Sequence, residues 1–333
     1  MHNRREFMKE MVAGAAVLGT SAKFALGDTK TAAAAANKSK VVIVRDAKLR
    51  TPGPSPDEKR VAAMLDHAMQ TYFNSQNPVQ PWKQLVRPGQ VVSLKLNSLG
   101  GRAISPSVAL VAAICERLQQ AGIKAGDIIV WDRGSRDLQA AGFTLSNAPG
   151  AVRCFASDTA GYEGAAVSYG AVTTRLSKIL TQSDVVINMP VLKNHDIVGV
   201  TMAMKNMYGV INNPNTMHGN ACNPYIADLN MIPQIRQKVR FVIGNMMTAV
   251  YEGGPTYRPE YAWNEDGLMI GEDPVAIDYS SAQIIERKRA EKGLKTLEQN
   301  GTPWNYIATA ADAQHRLGTN DPARIALIEH GVA

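Results

Sequence analysis

"GQVVSLKLNSLGGRAISPSVALVAAICERLQQAGIKAGDIIVWD", Gly89–Asp132, holds the alternation on which the fold turns. "GQVVSLKLN" has the short β-branched run of a strand, and its period of two puts Val91, Ser93, Lys95 and Asn97 on one face. A helical pattern follows from about Ser105 and closes at Gly122, where glycine suits a left-handed C-cap. "GDIIVWD" is then a second strand. Strand, helix, strand predicts a parallel crossover unit.

The same rhythm extends in both directions. "KVVIVRD" (Lys40–Asp46) reads as the first strand, and "SPDEKRVAAMLDHAMQTYF" as a helix entered through Ser55, Pro56 and early acids. "LSKILTQSDVVINMP" carries a helix into a buried strand at Asp184–Asn188. Downstream, "NPYIADLNMIPQIRQKV" reads as a helix, "RFVIGN" and "GLMIGED" as strands, and "DPVAIDYSSAQIIERKRA" as a helix with Pro274 in its first turn. The expected fold is α/β: a mostly parallel sheet covered by helices, with a small irregular or β-rich insertion. Residues 37–333 form its single domain, with a subdomain at 143–180 and a peripheral helical tail from 293, docked through Trp304 and Tyr306.

At 333 residues and 45% hydrophobic, the chain has enough material for one sizeable core. Its beginning has another pattern. "NRREFMKEMVAGAAVLG" sets Arg4 and Arg5 before a short apolar run, so residues 1–36 read as a twin-arginine signal peptide and linker, cleaved between Ala25 and Ala36. Export to the periplasm, with the translocation machinery as partner, is the expectation. The leader holds five basic and three acidic residues, a net +2, so the formal +7 of the whole chain becomes +5. No Lys/Arg tract points to nucleic acid, and no stretch is long enough to span a membrane stably. A small anion suits this charge better. The three cysteines make no cluster motif, so no intrinsic iron–sulfur site is expected; their disulfide state stays open.

In parallel sheets, ligands sit at the carboxyl ends of strands. That places Lys95, Asn97, Asp132, Asn188 and Asn245 at strand ends beside a cleft, and Glu272 and Asp273 end "LMIGED". Lys95, inside an apolar strand, is a structural salt bridge or an anion clamp. "NMPVLKNHDIVGVTMAMKNMYGVINNPNTMH" (Asn188–His218) adds Lys193, His195, Lys205, Asn206 and His218. His195 and His218 are candidates for an acid/base pair or for ligands of a divalent metal, although 22 intervening residues are not a metal spacing. Met202, Met204 and Met207 read as core filling rather than copper ligands. Glu252 lies in the Gly/Pro loop "YEGGPTY". Asp273 beside Pro274 is placed to cap a helix or bind a ligand, and Asp278 faces the cleft or pairs with a base.

Together, "SLKLN", "VINMPVLKNH", "GVTMAMKNMYGVI", His218, "EGGP" and "GEDPVAIDYSS" resemble the bacterial and archaeal family known as domain of unknown function 362, over about Val41 to Ile285. The resemblance implies an α/β core and marks Lys95, Lys193, His195, Lys205, Asn206, Asp273 and Asp278 as motif positions without established roles. Many relatives carry ferredoxin-type cysteine clusters, which this sequence lacks. Relatives commonly have an aspartate where Asn245 stands. Two functions follow as expectations. One is an enzyme with His195, Lys205 and His218 as acid/base residues and Lys95, Asn97, Asn188, Lys193, Asn206, Glu252, Asp273 and Asp278 holding a small anion. The other is a non-catalytic, cofactor- or metal-binding accessory module for a periplasmic redox partner.

Overall fold

Strand β1 (Ser39–Arg45) shows why the sheet is covered on both sides: Val41 and Ile43 enter one apolar core, Val42 and Val44 the other. Its side chains alternate across the sheet, and both faces are apolar, as in a strand buried between helix layers. The computed structural model describes residues 38–332, so the leader read at 1–36 lies outside the described residues.

After β1 come β2 (Val92–Leu96), β3 (Ile128–Trp131) and β4 (Arg153–Cys154), then a hairpin of β5 (Val167–Tyr169) and β6 (Val172–Thr174). β7 (Val185–Met189) runs almost directly into β8 (Val191–His195) and β9 (Gly199–Thr201). β10 (Val239–Val250), β11 (Ala262–Trp263), β12 (Gly267–Gly271) and β13 (Ile325–Gly331) complete the set. The main sheet has 11 strands, in the order β13-β1-β12-β10-β7-β2-β3-β4, with β8 and β11 branching along β10 and β9 pairing with β8. From β10 to β4 every pairing is parallel. β12 alone on this path runs antiparallel to both its neighbours, β1 and β10.

Helices Glu58–Phe73 and Val108–Gln120 cover one face, burying Met64, Leu65, Leu110 and Ile114 against Leu94 and Leu96. Asp57 caps the first by accepting from Arg60 N at 2.9 Å, and Ser107 the second by accepting from Leu110 N at 3.1 Å. On the other face, helices Tyr225–Met231 and Pro274–Glu291 pack Ile226, Leu229, Ile277 and Ile285 against Val41 and Val186.

Two expectations change. The helix expected over "NPYIADLNMIPQIRQKV" is two, Tyr225–Met231 and Pro233–Lys238, because Ile232 before proline is extended (φ −54°, ψ 123°). The tail is only partly helical. After helix Tyr306–Ala311 it becomes the edge strand β13, paired in parallel with β1 from Ser39↔Ile325 to Arg45↔Gly331. Within 143–180, β4 joins the main sheet while β5 and β6 form a separate two-stranded one. The three cysteines are free and buried, and Met202, Met204 and Met207 are fully buried in the core. Among the described residues, no helix is long and apolar enough to cross a membrane.

Candidate functional site

The site begins with the alternation in β2. Leu94 and Leu96 point into one core, so Lys95 must point to the other face, where it is buried. A buried ammonium needs partners. Lys95 Nζ donates to Asp132 Oδ1 and to Leu96 O, both at 2.7 Å, and lies 3.3 Å from Asn206 Oδ1. Asp132 follows β3, which is parallel to β2 with Lys95 opposite Trp131, so adjacent strand ends deliver the two charges together. The second carboxylate oxygen accepts from Ser98 N (2.7 Å) and Ser98 Oγ (2.6 Å). Burial pushes the Asp132 carboxyl up, but Lys95 and these hydrogen bonds outweigh it and hold the pKa below the ordinary value. Gly209 closes over the pair: a Cβ there would lie 2.5 Å from Lys95 Nζ.

β8 continues past Pro190 along the extended β10 and brings Lys193 and His195 over the same strand ends. Lys193 Nζ donates to Asn97 Oδ1 at 2.9 Å; Asn97 Nδ2 donates to Asn206 Oδ1 at 3.2 Å. Asn206 is held from behind, donating to Asn188 Oδ1 at 2.7 Å, while Asn188 donates to Ala203 O at 2.8 Å. Lys205 Nζ lies 3.1 Å from His218 Nε2 and 3.4 Å from the centre of the Tyr208 ring. The His195 and His218 rings stack with centroids 6.1 Å apart.

Apart from Asn188 and Ser98, these side chains line one cleft of about 280 Å³, together with Thr201, Arg133 and Asp137. Four cations (Lys95, Arg133, Lys193, Lys205) face two carboxylates (Asp132, Asp137). Among the described residues, neither Lys193 nor Lys205 has a carboxylate within ion-pair distance. Burial lowers the pKa of each to about 8. Thr201 Oγ1 is buried without a hydrogen-bond partner.

The histidines take different tautomers. His195 Nδ1 accepts from Ile197 N at 3.1 Å, so the neutral ring carries its proton on Nε2. Burial first, then the charges of Lys205, His218 and Lys193, push its pKa down to about 3. Its 3.3 Å approach to Asp196 is therefore no ion pair. His218 offers Nε2 as acceptor to the Lys205 ammonium, so its proton lies on Nδ1; burial and then Lys205 lower its pKa.

Lys95, Asn97, Lys193, His195, Lys205, Asn206 and His218 are thus brought together. Four other expected residues are not. Asn188 supports Asn206 from below. Glu252 pairs with Arg289. Asp273 sits at the opposite end of the sheet, because β12 is antiparallel and its carboxyl end faces away from those of β2, β3 and β7. There it caps helix Pro274–Glu291 by accepting from Val275 N and Ala276 N, both at 2.9 Å. Asp273→Ala is expected to cost about 1–2 kcal/mol of stability in urea unfolding and to leave ligand affinity unchanged. Asp278, buried and with its pKa raised to about 7 by that burial, accepts from Ala203 N (2.6 Å), Met204 N (3.2 Å) and Tyr306 Oη (3.0 Å). It anchors the backbone leading to Lys205 without reaching the cleft.

Two of the four imidazole nitrogens of the pair are already engaged. His218 Nε2 is engaged by Lys205, His195 Nδ1 by Ile197, and among the described residues no three His, Cys, Asp or Glu side chains gather to hold an ion. Thr201 and Tyr208 join the site beyond the expected set, together with Asp132, expected only as a strand end, and Gly209, expected only as a motif position. Asp132 ends a recognisable strand and Gly209 lies in "KNMYG", whereas Thr201 has no sequence signal.

Residues 92–283, more than half of the chain, match the family described as Domain of unknown function (DUF362). The chain belongs to this family. The matched span of the DUF362 domain runs from β2 into helix Pro274–Glu291 and contains every residue named in the cleft. No curated protein matches the chain. Among solved structures, a protein from Thermotoga maritima aligns with TM-score 0.44 and 9% identity, over 70% of this chain and 59% of that one. The lactate racemase apoprotein from Thermoanaerobacterium thermosaccharolyticum aligns with TM-score 0.30 and 11% identity, over 69% and 54%. The chain therefore spans less than two thirds of either protein.

Proposed function

We propose that this DUF362 protein binds a small anionic molecule in the cleft and moves a proton on it. The observation that carries the reading is the pair Lys193 and Lys205, buried ammonium groups that hydrogen-bond Asn97 Oδ1 and His218 Nε2 and touch no carboxylate, with the Cys222 thiol beside Lys205 and the Asp132 charge felt by Lys193 only at longer range. A buried charge with no carboxylate in contact is costly, and a bound anion offsets that cost. Lys193 anchors the anion, Lys205 and His218 form the proton-transfer pair, and the Nε2–H of neutral His195 donates to oxygen where charge develops. Thr201 Oγ1 supplies a further hydrogen bond.

The test is calorimetric titration with small mono- and dicarboxylates and with inorganic phosphate, followed by NMR of solvent deuterium entering the acids that bind. Lys193→Met is expected to weaken binding about tenfold or more, the worth of a charge-assisted hydrogen bond. Lys205→Ala and His195→Ala are expected to abolish exchange; unchanged exchange in both overturns the catalytic part. Native mass spectrometry against the denatured mass identifies any ligand that copurifies. We also propose export by the twin-arginine route, from Arg4, Arg5 and the apolar run after them. A reporter fused to residues 1–36 checks it, and retention in the cytoplasm counts against it.

A further inference from the structure

We propose that Lys205 forms a Schiff base with a small 2-oxo acid, and that His218 carries the protons of the addition and dehydration. The proposal rests on the anion-binding reading of the same cleft and deepens it by naming the substrate class.

Three lysines face the cleft, and their partners separate them. Lys95 is committed to the Asp132 carboxylate and Leu96 O. Lys193 donates to an amide oxygen, which cannot take up a proton at neutral pH. Lys205 alone has an imidazole lone pair at its nitrogen, the His218 Nε2 at 3.1 Å. That contact converts an ammonium into a nucleophile without help from solvent. Burial favours the same outcome, since it lowers the Lys205 pKa to about 8 and makes the neutral amine accessible near neutral pH.

The rest of the cleft suits a carbonyl next to a carboxylate. Lys193 is a buried cation for the carboxylate, and His195 presents a neutral N–H, which polarises a carbonyl without competing for protons. A volume of about 280 Å³ admits a small acid. His195 and His218 stack at 6.1 Å, so donor and base lie on adjoining sides of the same space.

The steps balance. The Lys205 ammonium gives one proton to His218 Nε2, and its nitrogen attacks the carbonyl carbon. The C–N bond forms, the carbonyl π electrons move to oxygen, and a proton passes from nitrogen to that oxygen. Imidazolium His218 then returns its proton to the hydroxyl, the C–O bond breaks, water leaves, and the nitrogen lone pair closes the C=N bond. One positive charge enters, on the ammonium, and one remains, on the iminium. No oxidant or reductant is needed. The iminium withdraws electrons from its neighbouring carbon, which eases removal of a proton there.

The experiment uses pyruvate as the probe, with cyanoborohydride to trap the imine in the intact purified protein. Intact mass and peptide mapping are expected to show a single reduced adduct on Lys205. Mapping locates the label in the parent protein itself, so the result does not depend on any variant folding. Lys205→Arg keeps the cation and loses the label. His218→Gln slows labelling by about a hundredfold, in the range for loss of a general base. Lys193→Met raises the pyruvate concentration for half-maximal labelling about tenfold. Calorimetric binding of pyruvate without any adduct overturns the covalent step and leaves the anion site standing. Label spread over surface lysines and unchanged in Lys205→Arg also overturns it. Neither binding nor label overturns both readings.

Discussion

Asp132→Ala is expected to destabilise the protein by about 3–5 kcal/mol, the range for removing one partner of a buried ion pair. The side chain accepts from Lys95 Nζ, Ser98 N, Ser98 Oγ and Arg133 N, all within 2.7 Å. Alanine leaves the Lys95 charge buried without a counter-ion and orphans the donors of the loop that opens the cleft. Urea unfolding measures the loss. Adding Lys95→Met to Asp132→Ala should recover much of it, since the cost lies in the stranded charge rather than in the missing pair. A loss under about 1 kcal/mol, typical of an ordinary surface change, would show that Lys95 finds another partner. The sign of the pH effect follows from the lowered Asp132 pKa. This stabilisation is full above the ordinary value of 3.8 and is lost as pH falls through the lower folded value.

Anion affinity is expected to fall by up to about tenfold per pH unit for each lysine, Lys193 and Lys205, once pH exceeds about 8. Both lysines in the free protein lose their protons there, and a bound anion needs the charged form. Binding above that pH therefore takes up protons, which calorimetry in buffers of different ionisation enthalpy detects directly. Stability of the ligand-free protein should move the other way. The unfolded chain holds these lysine protons to about 10.5. Between pH 8 and 9 it thus binds more protons than the folded chain, and folding strengthens as pH rises. The window stops at 9 because the buried Cys115 and Cys154, whose folded pKa values are raised by burial, contribute the opposite slope above their ordinary value of 9.0. Lys193→Met and Lys205→Met should each remove one share of both trends. A flat affinity from pH 7 to 9.5 would mean that these ammonium groups do not hold the ligand.

Much of this is legible in the chain alone. The strand–helix alternation around Lys95, the cap at Asp273 and the core role of the methionines all depend on local periodicity or on a few consecutive residues. Lys193, His195, Lys205, Asn206 and His218 announced themselves as polar groups crowded into an otherwise apolar stretch. One failure comes from strand direction. "LMIGED" has the pattern of any buried strand, and nothing within it records that it runs against its neighbours, so Glu272 and Asp273 were expected at the cleft and lie at the other end.

By itself the sequence determined the central strands and helices, which family the chain belongs to and most of the chemical groups the site contains, because hydrophobic period, turn residues and motif order are written along the chain. Tertiary structure decided what those groups do. Asp132 becomes the partner of Lys95 across 37 positions, Lys193 and Lys205 are left with neutral partners, and the tail becomes the edge strand β13. Those outcomes depend on strand direction and on the competition of distant groups for one buried space, and no local stretch encodes either.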